Sequence, residues 1–243
     1  MACFLMAGHT PALEYAAENL KQHYPFLDHP DSQVTHLLLP VPSLDSSGNL
    51  KGGGNLQAVL NQLSPNVVIV GGNLPQWLAE SYRVLDILKD PVYQAANANI
   101  TAHCAVKQIL NVFPSILSDA AVLILGWGRI GKCLSQLLRN MGADVTIFAR
   151  KASDRAMAEG LGFRSCTLDS ADFSGYPIIV NTVPAMILPC PPADAIKIDL
   201  ASVPGVGGDD VIWARFLPGK DAPASSGKLI AKTIISHMKE EIS

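Results

Sequence analysis

Residues 121–132 read Ala-Val-Leu-Ile-Leu-Gly-Trp-Gly-Arg-Ile-Gly-Lys, and no other stretch restricts the fold of this chain as strongly. Five apolar residues make a run of the length expected for a buried strand. Gly126, Gly128 and Gly131 follow at GxGxxG spacing. In a strand–turn–helix unit the first glycine permits the tight turn and the second lets backbone N–H groups approach a pyrophosphate. The third lets the helix pack close to the strand. Glycine-rich turns are common, so the flanks decide. Ile130, Leu134, Leu137, Leu138 and Met141 recur at helical spacing, and Ala143 to Ala149 reads as the next strand. A dinucleotide turn is predicted, with Gly126, Gly128, Arg129 and Ile130 lining the phosphates.

The end of that second strand narrows the ligand. An NAD site usually carries Asp or Glu about 20 residues past the glycines, to bond the ribose 2′-OH. This chain has Ala149-Arg150-Lys151-Ala152-Ser153 there. A guanidinium forks onto a 2′-phosphate, and Lys151 and Ser153 would add donors. NADP(H) is therefore the expected cofactor. Residues 129–164 hold seven Lys/Arg against three acids, a local excess of +4 in a chain whose net charge is −3. The global charge favours neither nucleic acid nor an anionic membrane as partner.

The chain has 243 residues, 49% of them hydrophobic and 16% charged, enough apolar material for two α/β halves. So low a charged fraction points to an oligomer or a covering partner, and a homo-oligomer, a dimer, is expected. Five scattered cysteines without a CxxC fit a reducing compartment and supply no metal site. No apolar run approaches the roughly 18 residues needed to span a bilayer, so a soluble, cytoplasmic protein is expected.

The first half is predicted to contain strands at 2–7, 34–39 and 66–71. A helix over about 11–24 should be capped by Thr10 with Pro11 at its first position. Residues 45–54 are turn-rich and predict a mobile surface loop. Leu74 to Lys89 predicts a helix, Asp90-Pro91 a break, and Thr101 to Phe113 a bridging helix ended by Pro114. Further strands are expected near 121–126, 144–149, 178–181, 196–200 and 211–216, and a final amphipathic helix from Ser225 to Ile242. The expected class is α/β, with two Rossmann-like domains. The first is 1–95 plus the returning helix 225–243, a substrate and dimerisation domain. Residues 96–120 bridge to a doubly wound parallel domain at 121–224 that binds the cofactor.

In such sheets ligands meet the carboxyl ends of the strands. Asn181-Thr182-Val183-Pro184 ends one strand in a polar, proline-kinked turn suited to a nicotinamide ribose. Asp199-Leu200-Ala201-Ser202 ends the next. Residues 216–223 precede the last helix, where backbone N–H groups would face an anion.

Together GWGRIG, FARK, NTVPAMIL, IDLAS-x-PG and LPGKDAP-x-S-x-G, in this order from about Ala96 to the C-terminus, resemble the dipicolinate synthase A family, the NADP-binding half of a two-component enzyme. That bacterial enzyme makes pyridine-2,6-dicarboxylate for endospores. The resemblance implies NADP-dependent oxidation of a dihydrodipicolinate-type precursor beside a flavoprotein-like partner, dipicolinate synthase B. It implies that Asn181, Thr182, Val183 and Pro184 flank the nicotinamide. Leu217 and Pro218 would border the cofactor, and Ser202 and Gly219 the substrate. Lys220 is the cation expected to meet a substrate carboxylate. His103 is the expected proton shuttle, and Ser226 would bond a carboxylate near a helix start, where serine more often acts as a cap. His237 is expected to face solvent or a partner.

The chain departs from the family's pattern at Ala7-Gly8-His9-Thr10, at Thr101-Ala102-His103-Cys104 and at Val206 to Asp210. These departures motivate an alternative: a non-catalytic NADP-binding subunit or paralogue that scaffolds or regulates a partner. A D-2-hydroxyacid dehydrogenase shares a similar glycine loop but needs Arg, Glu and His downstream. Here His237 is the sole histidine after His103.

Overall fold

The computed structural model describes residues 2–167 and 172–240, which fall into two compact units. The first comprises Met1–Asn97 with Pro218–Ser243, the second Ala98–Leu217.

The first unit is built on a five-stranded parallel sheet among the described residues. Its strands are β1 (Phe4–Met6), β2 (Phe26–Leu27), β3 (His36–Leu38), β4 (Val68–Gly71) and β5 (Arg83–Asp86), in the order β2-β1-β3-β4-β5. Helix α1 (Pro11–Lys21) starts where the sequence predicts. The Thr10 hydroxyl accepts from Leu13 N at 3.2 Å, and Pro11 fills the first turn. Its buried stripe of Ala12, Leu13, Ala16, Ala17 and Leu20 joins Phe4, Leu38 and Val70 in one core with Ile230, Ala231 and Ile234. Those last three belong to the C-terminal helix α8 (Pro223–Glu240), which returns to α1 as expected. The predicted helix end, Ile242, lies outside the described residues.

Several expectations for this unit are corrected. Leu74 to Lys89 is not one helix. It divides into α3 (Gln76–Ser81), the edge strand β5 and a 3₁₀ turn over Ile87–Lys89. Ladder pairing with β4 outweighs the helical spacing, and Asp86 secures the break by accepting from Asn73 N, Leu74 N and Leu88 N. Asp90-Pro91 does mark a break, Asp90 being extended after the 3₁₀ turn, but the next helix starts there at once. Asp90 accepts from Tyr93 N at 2.6 Å, Pro91 occupies the first turn, and α4 runs from Pro91 to Val112, ten residues more than expected at its start. Residues 45–54 form the expected turn-rich surface stretch, with internal hydrogen bonds. Asp45 accepts from Ser47 N and Asn49 N, Leu44 and Leu50 form a bridge, and His9 N donates to Lys51 O. The short helix α2 (Leu56–Leu60) follows, capped by Asn55. His237 does not face open solvent: its Nε2 lies 2.7 Å from Asp90 Oδ2.

The second unit carries a parallel sheet of β6 (Ala121–Leu125), β7 (Asp144–Phe148), β8 (Arg164–Cys166), β9 (Ile178–Asn181), β10 (Ile196–Asp199) and β11 (Ile212–Trp213), ordered β11-β10-β9-β6-β7-β8. The central strands β6 and β9 are nearly continuous apolar runs with almost every residue buried, the signature of a sheet covered on both faces. Helices α5 (Arg129–Asn140) and α6 (Ala152–Gly160) supply the crossovers from β6 to β7 and from β7 to β8. The last expected strand, 211–216, shortens to two residues. Within residues 216–223, ahead of the last helix, lies a five-residue helix, α7 (Leu217–Asp221).

Candidate functional site

The turn between β6 and α5 sits at the centre of the second sheet, and its three glycines meet three different surroundings. Gly126 has φ +110°, and a Cβ there would fall 2.6 Å from Thr182 Oγ1 and 2.7 Å from Val183 Cγ2. A Cβ on Gly131 would sit 2.3 Å from Gly126 O, so helix and turn pack backbone to backbone. At Gly128 a Cβ would meet nothing within 4 Å. The first and third glycines are therefore consumed by packing, and the second leaves open space at the start of α5. Gly128 caps that twelve-residue helix with no side-chain acceptor, so its first-turn N–H groups have no capping oxygen from Gly128. Open space before uncapped N–H groups is the arrangement that receives a phosphate. The residues present fit a dinucleotide.

A cavity of about 720 Å³ opens over this turn. Gly126, Trp127 and Gly128 form its floor. Phe148, Ala149, Arg150, Lys151 and Asp154 line the side that follows β7, with Thr167 after β8. Val183, Pro184, Ala185 and Ile187 line the side that follows β9. The glycine turn, the basic turn and the NTVP turn, far apart along the chain, thus meet at one cavity because β7 and β9 flank β6.

The basic turn is held from below. Arg155 Nη1 donates to Ala149 O at 2.8 Å and Arg150 O at 2.9 Å, leaving the exposed Arg150 and Lys151 side chains at the cavity. Neither Arg155 nor Asp154 stands out in the sequence. Asp154 places one carboxylate beside the two cations. Ser153 is exposed on α6 and is not among the lining residues. Trp127 is 7% exposed, its ring edge-on to Phe163 and within 5.8 Å of Lys132 Nζ. Arg129 is exposed and Ile130 half-buried on the first turn of α5.

Asn181 and Thr182, expected to flank a ligand, have side chains that are engaged internally instead. Thr182 Oγ1 donates to Leu125 O at 2.9 Å. Asn181 is fully buried. Its Nδ2 donates to Val183 O and Asp199 Oδ1, both at 2.9 Å, and its Oδ1 accepts from Val183 N at 3.0 Å. The amide of Asn181 shapes the wall that Val183 and Pro184 present. Asp199 in turn accepts from Ala201 N, Gly205 N and Val206 N.

The remaining predicted residues lie elsewhere. His103 is exposed on α4, on the face opposite buried Ala102 and Ala105, and does not line the cavity. Ser202 is exposed after β10 and also stands outside the lining. Leu217 is buried as the last residue of the second unit. Pro218, Gly219 and Lys220 belong to the first unit, on the short helix α7, which lacks the length for a dipole site; Lys220 is exposed. Ser226 neither caps α8 nor stands free. It is buried within the helix and hydrogen-bonded to Tyr93, whose hydroxyl burial pushes up to about 12. Burial also pushes the Cys133 and Cys166 thiols up, with Arg155 drawing Cys166 partly back. No helix among the described residues is long and apolar enough to cross a membrane.

No family model matches the chain. A curated relative, the glutamyl-tRNA reductase of Idiomarina loihiensis, is 25% identical over 162 residues, 65% of this chain. The chain spans 38% of the length of that relative. Among solved structures, dipicolinate synthase A from Bacillus halodurans superposes with a TM-score of 0.85 at 18% identity, covering 97% of both chains. The A chain of the Bacillus subtilis enzyme gives 0.81 at 18% identity, covering 98% of this chain and 96% of that one. A transhydrogenase from Sinorhizobium meliloti gives 0.71 at 13% identity, covering 99% and 94%. The fold is the one these structures share.

Proposed function

We propose that this chain is an NADP-dependent oxidoreductase of the dipicolinate synthase A type, which oxidises a dihydrodipicolinate-type precursor to pyridine-2,6-dicarboxylate. One observation carries the reading: the glycine turn, Arg150 with Lys151, and the Val183–Pro184 turn line a single cavity. The first turn of α5 with Gly128 holds the pyrophosphate. Arg150 and Lys151 take the 2′-phosphate, with Arg155 fixing their backbone. The wall from Val183 to Ile187 shields the nicotinamide ribose from water. When bound, the cofactor supplies the hydride acceptor. The substrate loses a hydride and a proton, and its ring becomes aromatic. Ser202, in the same unit as the cavity, is the group assigned to a carboxylate of the substrate. The same reading brings a flavoprotein-like dipicolinate synthase B, a dimeric assembly, a cytoplasmic setting and a part in endospore formation.

A second reading has an observation of its own. Val183, Pro184, Ala185 and Ile187 present no titratable side chain to the cavity, and His103 is not among its lining residues. That favours a non-catalytic subunit that binds NADP and scaffolds or regulates a partner. The purified chain, with and without a dipicolinate synthase B, is mixed with NADP and freshly generated dihydrodipicolinate, and NADPH absorbance is followed. Turnover in either sample is the expected result. No turnover in both, together with a thermal shift on adding NADPH, would establish the binding subunit in place of the enzyme.

A further inference from the structure

Asp199 is 1% exposed and is not one of the residues lining the cavity. Its Oδ1 accepts from Asn181 Nδ2 and Ala201 N, both at 2.9 Å. Its Oδ2 accepts from Gly205 N at 2.7 Å and Val206 N at 3.3 Å. All four contacts are donors, the pattern that suits a carboxylate and leaves a carboxylic acid proton without an acceptor. Among the described residues no basic side chain pairs with it: Lys197, two residues earlier on β10, pairs with Asp210. A buried carboxylate satisfied only by neutral donors keeps its charge uncompensated within the protein.

The four bonds converge on the cavity wall from behind. Through Asn181 they fix Val183, whose N–H and carbonyl are both held by that amide. Through Gly205 they fix the other end of the wall, because Gly205 O accepts from Ile187 N at 2.8 Å and Leu188 N at 3.0 Å. Gly205 is wedged there: a Cβ would fall 2.3 Å from Asn181 Nδ2 and 2.6 Å from Ala185 O.

Sheet order decides which part of a dinucleotide this wall would face. With phosphates over the end of β6 and the adenosine end at Arg150 beyond β7, the nicotinamide end lies over β9, and β10 is the next strand out. Neighbouring strands are about 4.8 Å apart, so Asp199 stands within a strand spacing or two of that end. The oxidised nicotinamide ring carries a positive charge and the reduced ring none. We propose that Asp199 is a positioning residue that holds the wall from Val183 to Ile187 and, through its unpaired charge, biases the site toward the oxidised cofactor. This rests on the cofactor reading above.

Dissociation constants for NADP+ and NADPH, and for NAD+ and NADH in parallel, test it on the full-length chain. The wild type is expected to bind the oxidised member of a pair more tightly. Asp199→Asn is expected to weaken NADP+ by about tenfold and NADPH by about threefold, a change in ratio that loss of packing alone would not give. Gly205→Ala, which displaces the same wall without altering charge, should weaken both forms equally. Equal losses in Asp199→Asn would overturn the electrostatic part. Unchanged affinities in Gly205→Ala would overturn the positioning part. Should Asp199→Asn fail to fold, tighter binding of NADPH than NADP+ by the wild type would still overturn the charge assignment. A folded wild type that binds neither pair overturns the cofactor reading itself.

Discussion

Gly126, Gly128 and Gly131 occupy one motif for three separate reasons. A positive φ and a crowded Cβ fix Gly126, contact with Gly126 O fixes Gly131, and open space before α5 distinguishes Gly128. The motif was legible in the sequence because the three glycines stand at a fixed spacing within six residues, although the crowding at Gly126 comes from Thr182 and Val183. Arg150 and Lys151 were legible as the residues that end a strand. Arg155 and Asp154 were not. A helical arginine that turns back onto two carbonyls, and a helical acid that meets a cavity, are set by how α6 leaves β7. Asn181 suggests a ligand contact from its place at a strand end, and its burial under the next turn gives it a different task. Arg150→Ala is expected to weaken NADPH binding by about tenfold, the loss of one charge-assisted contact, and to leave NADH nearly unchanged. Titration with both cofactors checks this, and equal losses would remove the 2′-phosphate from Arg150.

Among the elements, α1 and α8 show how local pattern and packing share the work. The apolar stripes of both helices were visible as 3.6-residue spacing, and Thr10 with Pro11 marked the start of α1. That the stripes meet each other depends on Gly227, where a Cβ would lie 2.5 Å from Ala12 O and 2.7 Å from Ala16 N. Gly227→Ala should force the helices apart at a cost of about 1–3 kcal/mol, as overpacking does. Thermal denaturation would register this as a lowered midpoint; an unchanged or raised midpoint would show that α1 can give way. The β5 strand shows the opposite case. Arg83 to Asp86 carries spacing compatible with a helix and becomes a strand because β4 offers an unpaired edge.

Across the whole molecule, the chain leaves the first unit after Asn97 and re-enters it at Pro218. His237 and Asp90 therefore join positions 147 residues apart within one unit. The Tyr93 N–H, and then His237, hold the Asp90 carboxyl below the usual aspartate value of 3.8, against an opposing effect of burial. The folded state thus binds the Asp90 proton less tightly than the unfolded chain. The resulting stabilisation is present above 3.8 and is lost as pH falls from there through the lowered folded value. Denaturant unfolding across a pH series should show wild type more stable than Asp90→Asn at neutral pH, with the gap closing below 3.8. A gap that persists unchanged in acid would assign the effect to something other than this carboxylate.

By itself the sequence determined the α/β class, the dinucleotide turn and its basic companion, since each follows from residues adjacent along the chain. The resemblance read from its later motifs is met by the fold of two dipicolinate synthase A structures. Only the tertiary structure decided that Asn181 and Asp199 face inward, that Asp90 starts a helix, and that Ser226 is buried against Tyr93. Strand order and helix docking set those outcomes. Parallel pairing brings residues from distant turns side by side, and a polar group so buried takes the nearest partner that packing supplies.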